Sequence, residues 1–122
     1  MKMEIYREIV LNQIPRILGL GDRNPISKTF GCYDRYYWHY RLIDFPNVRF
    51  QESCLLLSLL YKNNFKDNIY YNNKKLYNWS KSAIYFWFKI QNKDGSFNEA
   101  YPFERGFCAT ALSSYAITES II

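Results

Sequence analysis

The sequence predicts an all-α protein, on three observations. Apolar residues recur at three- and four-residue intervals in four stretches, the repeat of one helix face. Gly, Pro, Asn and Asp gather between those stretches, where they punctuate the chain. No strands alternate with the helices, so there is no signature of a sheet.

The first helix is expected over residues 3–18, where Ile5, Ile9, Val10, Ile14, Ile17 and Leu18 fall at helical spacing. Pro15 removes a hydrogen bond there and should kink or shorten it, and Gly19 and Gly21 should end it. Residues 19–34 read as a loop, with Gly19, Gly21, Asp22, Asn24, Pro25 and Gly31. The segment Arg35 to Leu42 is open between one or two helical turns and a strand, since its run of aromatics favours a strand by propensity. Pro46 then breaks the chain. Asn47 is placed to cap a helix from about Val48 to Asn63, with Phe50, Cys54, Leu57 and Tyr61 on one stripe and four further leucines widening it. Residues 63–75 are polar and read as a solvated loop. A helix apolar nearly all round follows, from about Leu76 to Asn92, and such a helix belongs between neighbours. Asp94-Gly95 marks a turn. A loop over 93–104 leads to a last helix, about Glu104 to Ser120, whose small residues let neighbours approach.

The chain has 122 residues, enough for a single helical domain over 1–122. Hydrophobic residues at 48% and charged residues at 22% argue against disorder. Aromatics reach 20%, and such rings must be buried or line a groove. Sixteen Lys and Arg against eleven Asp and Glu give a net charge of +5. That charge suits an acidic partner, but it is dispersed: Lys74-Lys75 is the one adjacent basic pair, and no nucleic-acid module is present. The cysteines, Cys32, Cys54 and Cys108, match no zinc spacing, and their odd number fits no disulfide framework. Cys54 and Cys108 lie in apolar helical stretches, as reduced, buried thiols would, which points to a reducing, cytoplasmic setting. Met1-Lys2-Met3-Glu4 does not open a signal peptide, and the longest clean apolar run, Ala83 to Phe88, is too short for a membrane span.

Lys81 to Phe97, KSAIYFWFKIQNKDGSF, resembles the QW repeat of squalene-cyclase and prenyltransferase toroids, with Gln91, Gly95 and Phe97 in the Gln, Gly and aromatic places and Phe in place of Trp. Physically, Gln91 can tie helix-end carbonyls to the following loop, Gly95 can take positive φ, and Phe97 can fold back on the helix. The resemblance implies a hairpin from an outer to an inner helix of an α/α barrel. Asp22-Arg23-Asn24-Pro25, Thr29 to Arg35, Tyr37-Trp38-His39-Tyr40, Asp44-Phe45-Pro46, Asp94 to Glu104 and Gly106 to Glu119 resemble bacterial heparinase-like toroid proteins of surface-polysaccharide clusters. That resemblance spans most of the chain from about residue 22. It implies helical hairpins of an incomplete α/α toroid, because closure takes roughly ten to twelve helices. The chain then reads as the N-terminal part of a larger toroid, or as a homo-oligomer whose open faces pair.

The candidate chemistry centres on residues 34–40. His39, the one histidine, is the candidate general base. Asp34 would orient it, Arg35 would hold a sugar carboxylate or sulfate, Tyr37 and Tyr40 would act as base, acid or binding groups, and Trp38 would stack on a sugar ring. Against this, Asp34 and Arg35 can pair or cap a helix while His39 simply packs. Asp94, Glu99, Glu104 and Arg105 form a second set, in which paired carboxylates suit glycoside hydrolysis. Here Asp94 reads more simply as a turn residue and Glu104 as a helix-start acid, while Glu99 has no local explanation. No metal pattern, no phosphate loop and no other cofactor motif is present, and the Asp-rich motif of carbocation chemistry is missing. The expected role is the building or modification of a surface polysaccharide, with lyase-like action on acidic sugar chains. The alternative is a non-catalytic helical scaffold or protein-interaction module.

Overall fold

A computed structural model describes residues 2–121. Five α-helices follow in order: α1 Lys2–Leu20, α2 Arg35–Trp38, α3 Ser53–Lys62, α4 Lys74–Lys89 and α5 Phe107–Ser120, with a 3₁₀ helix, Val48–Glu52, running directly into α3. No strand occurs among the described residues, so the all-α class holds.

Local chemistry sets the boundaries. The side chain of Asn47 accepts from the Arg49 amide at 2.9 Å, starting the helix where the sequence places it, although the first turn is 3₁₀. Asn73 caps α4 through the Lys75 and Leu76 amides, so α4 begins two residues earlier than periodicity suggests. The segment after residue 34 resolves as one helical turn, because Asp34 caps it. Pro15 sits inside α1 on its exposed side and does not end it. The last helix starts at Phe107 rather than Glu104. Arg105 holds φ 50°, outside the helical region, and Glu104 is engaged in the loop instead.

The core lies between α3, α4, α5 and the 3₁₀ helix. α3 packs most extensively on α4, and α5 lies across α3 and the 3₁₀ helix. α5 meets α4 through the Trp87 and Ser113 side chains, and makes its main contacts with α3 and the 3₁₀ helix. Val48, Leu57, Leu76, Trp87, Phe97 and Ile117 are buried together. Small polar residues let the helices approach. Ser58 and Ser80 hydroxyls meet at 2.7 Å between α3 and α4, and the Trp87 indole N–H donates to Ser113 Oγ at 3.0 Å toward α5. Each polar atom is satisfied, so the close approach leaves no orphaned donor.

α1 belongs to this body less firmly. Its one buried side chain is Ile14, and Leu11, Leu18 and Leu20 pack against the core from its C-terminal half. Cys32 and Cys54 are buried, and burial pushes their thiols up to about 12 and about 11. Cys108, expected to be buried, is exposed, because it lies on the side of α5 that turns away from α3.

Candidate functional site

The loop before α2 is built by one aspartate. Asp22, nearly buried, accepts from Ser27 Oγ at 2.6 Å, Thr29 Oγ1 at 2.7 Å and the Asn24 amide at 3.1 Å. Its backbone pairs with the far side of the loop, Asp22 N to Cys32 O at 2.8 Å and Gly31 N to Asp22 O at 2.9 Å. Gly31 takes φ +90° there, and a Cβ on it would stand 2.1 Å from the Ser82 carbonyl oxygen. The loop is thus pressed directly onto the backbone of α4. Gln51 clamps that contact. Its Nε2 donates to the carbonyls of Gly31 and Ala83, each at 2.9 Å, and its Oε1 accepts from the Tyr33 amide at 2.8 Å.

The residues singled out as chemistry are placed on this frame. Asp34 is fully buried, and its two oxygens accept from the amides of Tyr36 at 3.1 Å and Asn47 at 2.9 Å. It is spent on joining the cap of α2 to the start of the 3₁₀ helix. Arg35 Nη1 donates to the Gly19 carbonyl at 2.5 Å, and the Trp38 indole N–H donates to the Leu20 carbonyl at 2.8 Å. Together they satisfy orphan carbonyls at the end of α1. The Arg35 guanidinium also stands 5.9 Å from the Trp38 ring centroid and 5.5 Å from that of Tyr40. His39 is exposed, between the rings of Trp38 at 5.1 Å and Tyr40 at 4.9 Å. Asp34 and Arg35 therefore occupy the capping roles that were their alternative reading.

A cleft of about 710 Å³ opens between loop 22–29 and segment 37–44. Tyr37 and Trp38 line it, facing Ser27 and Thr29, with Arg41 and Asp44 at its edge. Asp34, Arg35, His39, Tyr40 and Glu99 do not line it. Glu99 stands on the loop before α5, 3.7 Å from Arg49 Nη1, and Arg49 also pairs with Glu52.

The second acidic set organises its own loop. Asp94 accepts from the Ser96 amide at 3.0 Å and from Ser96 Oγ at 2.6 Å, closing the turn at Gly95, φ +87°. Glu104 Oε2 accepts from three successive amides, Glu99 at 3.0 Å, Ala100 at 2.8 Å and Tyr101 at 3.3 Å. Those hydrogen bonds hold both carboxyls below their ordinary values, which favours the ionised form over a proton-donating one. The Gln91 amide donates to the Gly95 carbonyl at 2.9 Å, a loop carbonyl rather than one of the helix end. Phe97 folds back as expected, fully buried and stacked on Trp87 at 4.5 Å.

Sequence reasoning missed Asp22 and Gln51. Asp22 carried a signal, in the Asp-x-Asn step with Ser27 and Thr29 behind it, the composition of side-chain-closed turns. Gln51 carried one too: it is a polar residue on the buried stripe between Val48 and Cys54. Among the described residues, no group of His, Cys, Asp and Glu is arranged to hold a metal ion, and no helix is long and apolar enough to cross a membrane. Comparison with protein-family models, curated proteins and solved structures returns no match.

Proposed function

We propose that this chain is a helical interaction module that works by docking rather than by catalysis within its own 122 residues. One observation carries the reading. Large apolar side chains stand in water on α1, on α4 and on α5 with the loop before it, and the last set holds the most exposed phenylalanines: Phe107 at 84% and Phe103 at 83%, with Tyr101, Tyr115 and Leu112 beside them in sequence. Large apolar side chains held in water along one helix and the loop that leads into it are what a binding surface offers. The backbone supports the same view. Phe103 takes φ +60°, a conformation costly for a bulky side chain, and the three hydrogen bonds to Glu104 hold the loop that presents it. The test is uptake of an environment-sensitive apolar dye. The double substitution of Phe103 and Phe107 to Ser should remove most of the dye fluorescence while leaving the melting temperature unchanged. Unaltered uptake would sink the reading.

The cleft at Tyr37 and Trp38 favours a second reading, a docking site for an acidic sugar chain. Here Trp38 offers an apolar ring edge and Arg41 the cation for a carboxylate. Titration with oligouronates should then quench tryptophan fluorescence. The substitution Arg41→Asn, which tolerates the φ of 55° at that position, should weaken binding by more than about tenfold, as the loss of a charge-assisted hydrogen bond of about 1.5–3 kcal/mol does. Binding indifferent to Arg41→Asn and to added salt would remove this reading.

A further inference from the structure

We infer that the partner of the α5 surface is a second copy of this chain, bound through an antiparallel, two-fold α5–α5 contact. This rests on reading that surface as a docking site, and it names the occupant.

α5 carries apolar side chains on two sides. Ala109, Ala116 and Ile117 face the core with Ser113 and Ser120, while Phe107, Cys108, Ala111, Leu112 and Tyr115 stand in water. The described residues cover the first side and leave the second open, as a helix with a further neighbour would be. The area is sufficient. At roughly 200 Å² per aromatic side chain, the exposed parts of Tyr101, Phe103, Phe107, Leu112 and Tyr115 offer about 700 Å², close to the roughly 800 Å² per partner of a standard interface.

Charge selects the orientation. The outer side of α5 carries one charged residue, Glu119, in its last turn, and Arg105 lies just before its first turn. Both are exposed and lie seven residues either side of Leu112. Two copies crossing antiparallel at Leu112 bring Arg105 beside the partner's Glu119 twice over. A parallel pairing brings like charges together instead. Arg105 is free to respond, since its present contact, 3.5 Å from Asp94, is exposed. Ala111 beside Leu112 leaves room at the crossing point for the opposing leucine. The pairing is isologous and closes on itself, the commonest oligomer symmetry.

Apolar hollows also open along α1, one lined by Met3, Tyr6, Val10 and Phe65 and one by Val10, Leu59 and Phe65. Arg7 lines the first too, with Glu4 and Glu8 beside it on α1, so charge alone does not choose between the faces and a variant in each must be compared.

Sedimentation equilibrium of the full chain tests this. The expected mass is twice 14.7 kDa and falls toward monomer on dilution. Leu112→Glu should weaken the dimer at least about tenfold, on the scale of a central apolar anchor, with unchanged helix content. Arg105→Glu and Glu119→Arg should each weaken it roughly two- to five-fold, as exposed ion pairs do, and the double reversal should restore it. Leu112→Cys with Cys108→Ser should cross-link into a disulfide dimer under mild oxidation. A dimer that ignores Leu112→Glu but separates with Val10→Asp would place the contact at α1 and overturn the proposal. A monomer at concentrations of order 10⁻⁴ M would also overturn it. If that monomer still takes up apolar dye, and loses the uptake in the Phe103 and Phe107 double variant, only the second copy is excluded. If its uptake ignores those substitutions, the docking role fails as well.

Discussion

The loop from residue 19 to residue 34 and the outer face of α5 treat their side chains in opposite ways. In the loop and the elements packed on it, polar and charged groups are turned inward and consumed: Asp22 on two hydroxyls and an amide, Asp34 on two amides, Gln51 of the 3₁₀ helix on three backbone groups, Arg35 and Trp38 of α2 on the end of α1. On α5, large apolar groups are turned outward and left unused. An aspartate beside a histidine in sequence looks like catalysis, yet a buried carboxylate with its oxygens filled by backbone amides is already employed. An exposed phenylalanine on a strained backbone is not. Asp34 and Arg35 are committed to holding the fold, while the apolar face of α5 is committed to nothing within the described residues.

If the loop is structural, its disruption should be the costliest change available. Gly31→Ala forces a methyl to within 2.1 Å of the Ser82 carbonyl oxygen and strains a backbone held at φ +90°. We expect a loss of at least about 4 kcal/mol, the range reserved for backbone strain and core disruption, or no folded protein. Urea denaturation reads it, and a loss under about 1 kcal/mol would show that the loop is not pressed on α4.

Gln51→Leu comes next. It keeps similar bulk but leaves the Tyr33 amide and the Gly31 and Ala83 carbonyls without their side-chain partner. Each buried group so abandoned costs about 1–3 kcal/mol, and partial relaxation makes about 3 kcal/mol the expected total. Chemical denaturation should show a lower midpoint with unchanged slope. A near-neutral result would mean that the loop reaches α4 without this clamp.

These two positions also show how much of the molecule was legible in advance. The stripe of α3, the cap at Asn47 and the Asp94-Gly95 turn are local patterns, and they could be read; the stripe read on α1 predicts the helix but not its burial, since Ile5, Ile9 and Val10 are exposed and Ile14 alone is buried. The start of α5 could not, because Glu104 reaches backward to amides at 99–101, and side-chain capping of a loop leaves no periodic trace. The candidate site was legible only as a set of residue types. That Asp34 would turn toward Asn47, thirteen residues on, and Arg35 toward Gly19, sixteen back, is tertiary information.

Glu104 gives a smaller and pH-dependent effect. Its folded-state carboxyl lies below the ordinary 4.5 because three amides hydrogen-bond the charged form. The stabilisation is therefore fully present above that value and fades as pH falls through the lower, folded one. Melting temperatures of the wild type and Glu104→Gln should differ at neutral pH and converge in acid, at a pH well under the ordinary 4.5, where the folded-state carboxyl is protonated as well. A gap that stays constant across this range would mean the carboxylate is not what holds the loop.

The mildest probe of the contrast uses the cysteines, one of which lies on the unused face. Cys32 and Cys54 are buried, with thiols pushed up to about 12 and about 11, so they carry almost no thiolate at pH 8 and no access for reagent. Cys108 is exposed on α5. In dilute native protein a maleimide or disulfide reagent should label one thiol per chain, and in denaturant three. The native reaction should also slow as protein concentration rises, since α5 pairing would cover Cys108 but leave the other two unchanged. A rate independent of concentration would count against pairing through this face. Labelling of all three cysteines in native conditions would mean that the core itself opens, and the distinction between a filled interior and a surface awaiting a partner would be lost.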